Sequence, residues 1–78
     1  MPKLPQVKAK EAIKVFDKIG FVHRRTRGSH YIMRRESDKG KVVVPLHGTK
    51  PLGKGLLLSL LTDANLTKEE FLKLLKKK

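Results

Sequence analysis

The spacing of apolar residues changes at Gly20, and that change restricts the fold more than any other feature of the chain. Before it, Ala12, Ile13, Phe16 and Ile19 recur every three or four residues, which puts them on one face of a helix. Gly20 stands where a helix commonly stops in the left-handed conformation, so the spacing predicts a helix over 8–19. Beyond Gly20 the helical period is gone. The stretch 21–27 reads as a strand, Gly28-Ser29 as a tight turn, and 30–36, with Tyr31, Ile32 and Met33, as a second strand. Ser37 to Gly40 form another turn. The β-branched run 41–44 is a third strand, ended by Pro45, whose missing N–H cannot continue a central ladder.

The helical period returns after a loop over 46–53. Leu57, Leu60, Leu61 and Ala64 form a stripe, and Asn65 is an acceptable left-handed stop. Thr67 and Glu70 have the spacing of a capping box, and Phe71, Leu74 and Leu75 continue an apolar face in a third helix. The expected fold is α+β in the order α-β-β-β-α-α, with a three-stranded antiparallel sheet packed on helices. It forms one domain over 1–78, with flexible ends at 1–6 and 76–78. A chain of 78 residues without cysteine has neither disulfides nor thiolate zinc sites to staple it, so packing must hold it together. The longest apolar run, Leu56-Leu57-Leu58, is far too short for a membrane span, which makes a soluble cytoplasmic protein the expectation.

A net charge of +12 predicts long-range attraction to a polyanion and strong salt dependence if that polyanion is a nucleic acid. The arginines carry more information than the sum. All of them, Arg24, Arg25, Arg27, Arg34 and Arg35, fall on either side of Gly28-Ser29-His30, and no Asp or Glu lies between Lys18 and Arg35. A guanidinium fork matches a phosphate in two-point contact, so this cluster is read as more than a solvated surface. With a two-residue turn at Gly28-Ser29, Arg27 lies opposite His30, Arg25 opposite Ile32 and His23 opposite Arg34, all on one face of the sheet. The other face then holds Val22, Arg24, Thr26, Tyr31, Met33 and Arg35. The set Val22, Tyr31 and Met33 is assigned to the core, which leaves Phe21 and Ile32 on the open side.

Three candidate sites compete. Gly48 to Gly55 resembles a phosphate-binding P-loop, but Gly55 stands where that motif needs a hydroxyl for magnesium, so an NTPase is excluded. His23 and His30 would sit about 10 Å apart along the sheet with no carboxylate or cysteine beside them, which argues against a metal site. His47 reads as a loop residue. His30 is the strongest candidate, because transesterification of RNA needs proton transfer to and from oxygen together with cations for the charge building on phosphorus. Imidazole titrates in the right range. One histidine supplies one of the two proton roles, and Tyr31, Arg25, Arg27 or water are open candidates for the other. Arg24, Arg25, Arg27, Arg34, Ser29 and Lys50 are the expected phosphate contacts.

The ordered set of Leu4-Pro5, Gly20-Phe21, Arg25-Thr26-Arg27-Gly28-Ser29-His30, Val44-Pro45-Leu46-His47-Gly48, Gly55 with the leucines after it, and Ala64 to Leu75 resembles the HicA (YcfA-like) mRNA interferase toxins of bacterial and archaeal toxin–antitoxin pairs. This resemblance implies a fold like that of double-stranded-RNA-binding domains and an endoribonuclease that cuts mRNA without a metal or other cofactor. It also implies a catalytic role for His30 and a HicB-type antitoxin partner, the toxin being a monomer alone or part of a hetero-oligomer with that antitoxin. The chain departs from the family pattern at Lys8-Ala9, where Ser-Gly is frequent, at Leu56, where Thr is common, and at Asn65, where Gly is usual. Leu56 and Leu58 lie off the main stripe of their helix and are a possible contact for the antitoxin or a second copy. Two other readings of the residues stand beside the nuclease: a basic module that binds duplex RNA by shape without cutting, and a basic face that pairs with an acidic protein.

Overall fold

The computed structural model describes residues 5–46 and 50–76. Its elements run α1 Ala9–Lys18, β1 Val22–Arg27, β2 His30–Arg35, β3 Gly40–Pro45, α2 Lys54–Asp63 and α3 Lys68–Lys76. The strands form one antiparallel sheet in the order β1-β2-β3. This is the expected α-β-β-β-α-α domain. His47, Gly48 and Thr49, which carry the histidine and the start of the P-loop-like stretch noted in the sequence, lie outside the described residues.

Local chemistry sets the helix ends. The Lys8 side chain carries no acceptor for a cap, so only half of the usual exchange forms at the start of α1: the Lys8 N–H donates to Glu11 Oε1 at 3.0 Å. At the start of α3 both halves form, with the Glu70 N–H donating to Thr67 Oγ1 at 3.1 Å and the Thr67 N–H to Glu70 Oε1 at 3.0 Å. The ends of α1 and α2 are built alike. Gly20 with φ +99° and Asn65 with φ +56° adopt the left-handed conformation. The following residue donates back to the last turn, Phe21 N–H to the Phe16 carbonyl at 3.0 Å and Leu66 N–H to the Leu61 carbonyl at 2.9 Å. Asparagine thus does at the end of α2 what glycine does at the end of α1.

The core lies between the helices and one face of the sheet. Phe16, Phe21, Phe71, Met33, Leu57, Val7, Val15, Val42 and Val44 are its largest fully buried side chains, and Leu60, Leu61 and Ala64 of the expected α2 stripe join them. Leu52 N–H donates to the Val7 carbonyl at 2.6 Å, and Lys8 and Pro51 form a bridge, which ties the approach to α2 against the approach to α1. Leu56 is exposed and Leu58 half-buried.

The sheet departs from the expected register at one place. Arg27 lies opposite His30 and Arg25 opposite Ile32 as expected, but His23 pairs with Met33 and Val22 with Arg34, because a bulge between His23 and Arg25 inserts Arg24 as an extra residue. The pleat reverses there. Val22, assigned to the core from the sequence, is 58% exposed, whereas Phe21, assigned to the open side, is fully buried. The physical reason is a conflict of parity. In an unbroken strand Phe21, Arg25 and Arg27 would all point the same way, so burying the phenylalanine would bury two guanidiniums. One extra residue lets Phe21 enter the core while Arg25 and Arg27 stay in water.

Candidate nucleic-acid interface

The open face of the sheet is ruled in three rungs. Side chains two apart on a strand share a face, so His30, Ile32 and Arg34 of β2 project together. The register adds their neighbours: Arg27 and Pro45 flank His30, Arg25 and Val43 flank Ile32, and Val22 and Lys41 flank Arg34. None of these nine strand positions carries a carboxylate. The middle rung is the apolar one, with Ile32 and Val43 half-buried and the cations exposed around them.

His30 is the first residue of β2, and the turn before it fixes its place. Gly28 has φ +56° whereas Ser29 does not enter the left-handed region, the pattern of a two-residue turn that demands glycine first. The Ser29 carbonyl accepts from the Leu46 N–H at 2.6 Å, so the chain leaving β3 is fastened to the same turn. The imidazole is exposed, and no group among the described residues hydrogen-bonds to it. It borders a shallow depression with Arg27, Gly28, Ile32 and Val43.

The sequence-assigned contacts separate into groups. Arg25 and Arg27 stand with His30 on the open face. Arg24 and Arg34 line a larger hollow, about 760 Å³, at the opposite end of the β1–β2 ladder with Ile19, Val22 and Lys39. Ser29 is exposed in the turn, and Lys50 lies beside Pro51 in neither depression. Tyr31 is not brought to His30. It projects from the other face of β2, half-buried, with its ring stacked on His23 at 4.2 Å between centroids, and His23 Nε2 lies 2.9 Å from Thr26 Oγ1. His23 and His30 therefore sit on opposite faces, which the bulge explains. Among the described residues no group of three or more His, Cys, Asp or Glu is placed to hold a metal.

Arg35 also borders the larger hollow, but its guanidinium is engaged within the fold. Pointing to the helix side, it donates to the carbonyls of Ile19 at 3.3 Å and Ala64 at 3.0 Å, the residues that close α1 and α2. Its guanidinium also pairs with both Asp38 oxygens, at 2.9 and 2.6 Å, and lies 4.5 Å over the Phe21 ring. Asp38 answers with a carboxyl held down to about 2, chiefly by Arg35 and then by the Gly40 N–H that it accepts. By contrast, Arg24, Arg25, Arg27 and Arg34 make no side-chain hydrogen bond or ion pair among the described residues. Lys41 is the cation of this face that sequence reasoning passed over; its signal is the β2–β3 register, which sets it across from Arg34.

No helix among the described residues is long and apolar enough to cross a membrane. Comparison with curated proteins finds none that matches. The family model of the HicA toxin of bacterial toxin–antitoxin systems matches residues 9–66, which includes α1, the whole sheet, α2 and the turn that sets His30. The chain belongs to the HicA toxin family, and is the toxin half of a pair whose other half is an antitoxin.

Proposed function

We propose that this toxin is an endoribonuclease that cuts mRNA, with His30 as the proton-transfer group and Arg27 and Arg25 as the phosphate clamp. The observation that carries the reading is the first rung: an exposed imidazole, free of partners among the described residues, directly across the ladder from a guanidinium in the same condition. In the reaction the ribose 2′-oxygen attacks the adjacent phosphorus while an imidazole nitrogen of His30 takes the hydroxyl proton. The bond from phosphorus to the 5′-oxygen breaks, and that oxygen leaves with a proton. The products are a 2′,3′-cyclic phosphate and a 5′-hydroxyl.

Arg27 and Arg25 offset the charge that accumulates on the phosphoryl oxygens as the fifth bond forms. The leaving oxygen takes its proton from His30, once charged, or from water, since Tyr31 is across the sheet. Every role falls to a side chain or to solvent, so cleavage is expected to persist in EDTA. Purified protein incubated with mRNA in EDTA tests this directly. His30→Ala is expected to lower the rate by a factor of at least about a hundred, as loss of a general acid–base does, with RNA affinity largely retained. Undiminished cutting by His30→Ala would overturn the assignment. RNA binding by the unaltered protein with no cutting in any buffer would replace it with the non-catalytic module.

A further inference from the structure

The hollow at the far end of the sheet is larger than the depression at His30, and the proposed chemistry does not use it. We infer that it is a distal substrate subsite, where Arg24 and Arg34 hold a backbone phosphate of the same single RNA strand whose cut phosphate lies at His30. This inference rests on the ribonuclease reading and names where that enzyme grips its substrate beyond the reacting nucleotide.

Three observations carry it. His30 and Arg34 project from the same face of one unbroken strand, four residues apart, a span of about 13 Å or roughly two backbone steps of an extended single strand. The path between them is the apolar rung of Ile32 and Val43 with Arg25 beside it, a surface on which a nucleobase can lie without stripping water from a carboxylate. At its end the cations converge from three places: Arg24 from the bulge, Arg34 from β2 and Lys39 from the turn after it, with Lys41 across the ladder. Glu36 and Arg35 also line the hollow; Glu36 subtracts one charge, and the Arg35 guanidinium is committed to Asp38 and the helix ends. The bulge therefore does two things at once. It turns Phe21 inward, and it places an additional arginine at the edge of a hollow already bordered by Arg34. Exposed Val22 also lines the hollow, where a base flanking the held phosphate finds apolar contact.

The test measures RNA affinity in the His30→Ala background, so that nothing is cut. Labelled single-stranded RNAs of two and of eight nucleotides are titrated by fluorescence anisotropy against that protein, and against the same protein carrying Arg24→Ala with Arg34→Ala. Both arginines are exposed or unpartnered, so thermal unfolding of the triple variant is expected to match its parent; Arg34→Gln alone serves as a milder second variant. The expected result is a loss of roughly tenfold or more in affinity for the eight-nucleotide RNA and much less for the dinucleotide. The slope of log affinity against log salt should fall by about 0.7 for each phosphate contact removed. Equal loss on both lengths, or undiminished affinity for the longer RNA, overturns the subsite. Retained RNA affinity with weakened binding of the antitoxin would make the hollow a protein-docking surface instead. Failure of the parent reading has a different signature, the absence of cutting by the unaltered protein, and leaves this length dependence to be decided by binding alone.

Discussion

Arg34 and Arg35 are adjacent, identical in type, carried by the same strand and both at the rim of the far hollow, yet their guanidiniums are engaged differently. Arg35 faces the helices, where it closes α1 and α2 through the Ile19 and Ala64 carbonyls, pairs with Asp38 and covers Phe21. Arg34 faces water with no side-chain partner among the described residues. The pleat alone makes this division. A positive charge near a helix C-terminus stabilises the exposed carbonyls there, and Arg35 serves two such ends at once. The arginine cluster that marks this chain from its sequence is thus four surface cations and one internal clasp.

The sharpest way to break the comparison is at Phe21 and Val22, the neighbours that the bulge sorts to opposite faces. Phe21→Ala is expected to cost roughly 3–5 kcal/mol, because a fully buried ring is lost from the core and from beneath Arg35. Val22→Ala removes a side chain that is 58% exposed and should change stability by no more than about 0.5 kcal/mol. Denaturant midpoints of the two variants measure the contrast, and a larger loss at Val22 would mean that the strand runs without its bulge. Next in size is the arginine pair itself. Arg35→Ala leaves two helix-closing carbonyls without this donor and Asp38 without its guanidinium partner, and should destabilise by about 2 kcal/mol, on the scale of hydrogen bonds to charged groups. Arg34→Ala should leave the midpoint within about 0.5 kcal/mol while weakening RNA binding. Equal destabilisation by both would erase the distinction.

Those pairs also mark where the sequence was legible. The helices, their stops and the capping box at Thr67 and Glu70 depend on residues within one or two turns of each other, and each stands where its local pattern puts it. The pairing of Arg27 with His30 was equally local, because two turn residues determine the first rung. The bulge was not local. A strand read alone has no signal for an inserted residue, although the conflict was written in the odd-numbered positions, with Phe21 apolar and Arg25 and Arg27 charged. Arg35 was less legible still, since its role exists only after two helix ends separated by 45 residues in the chain, Ile19 and Ala64, have come together. Tyr31 follows from the pleat: as the immediate neighbour of His30 it projects from the other face, which is why adjacency in the chain was a poor guide to partnership in the site.

The smallest expected effect is the response of the clasp to acid. The Asp38 carboxyl is lowered to about 2 from 3.8, first by its hydrogen bond from Arg35 and then by the Gly40 N–H. A carboxyl lowered on folding adds stability that is complete above the unfolded value and disappears as pH falls through the folded one, so the loss is expected between about pH 4 and pH 2. Glu70 is also lowered, by the Thr67 N–H and hydroxyl, and its contribution has the same sign. Acid unfolding of the unaltered protein therefore contains both, along with self-repulsion of a strongly basic chain. Asp38→Asn separates them. Across that window its melting temperature should fall less steeply than that of the unaltered protein, because Glu70 and the net charge still respond and the clasp no longer does. The same substitution made in Arg35→Ala protein should change the slope hardly at all, since the guanidinium is the first cause of the Asp38 shift. Equal flattening in both backgrounds would show that Asp38 acts through the Gly40 turn and that Arg35 holds the two helix ends without it.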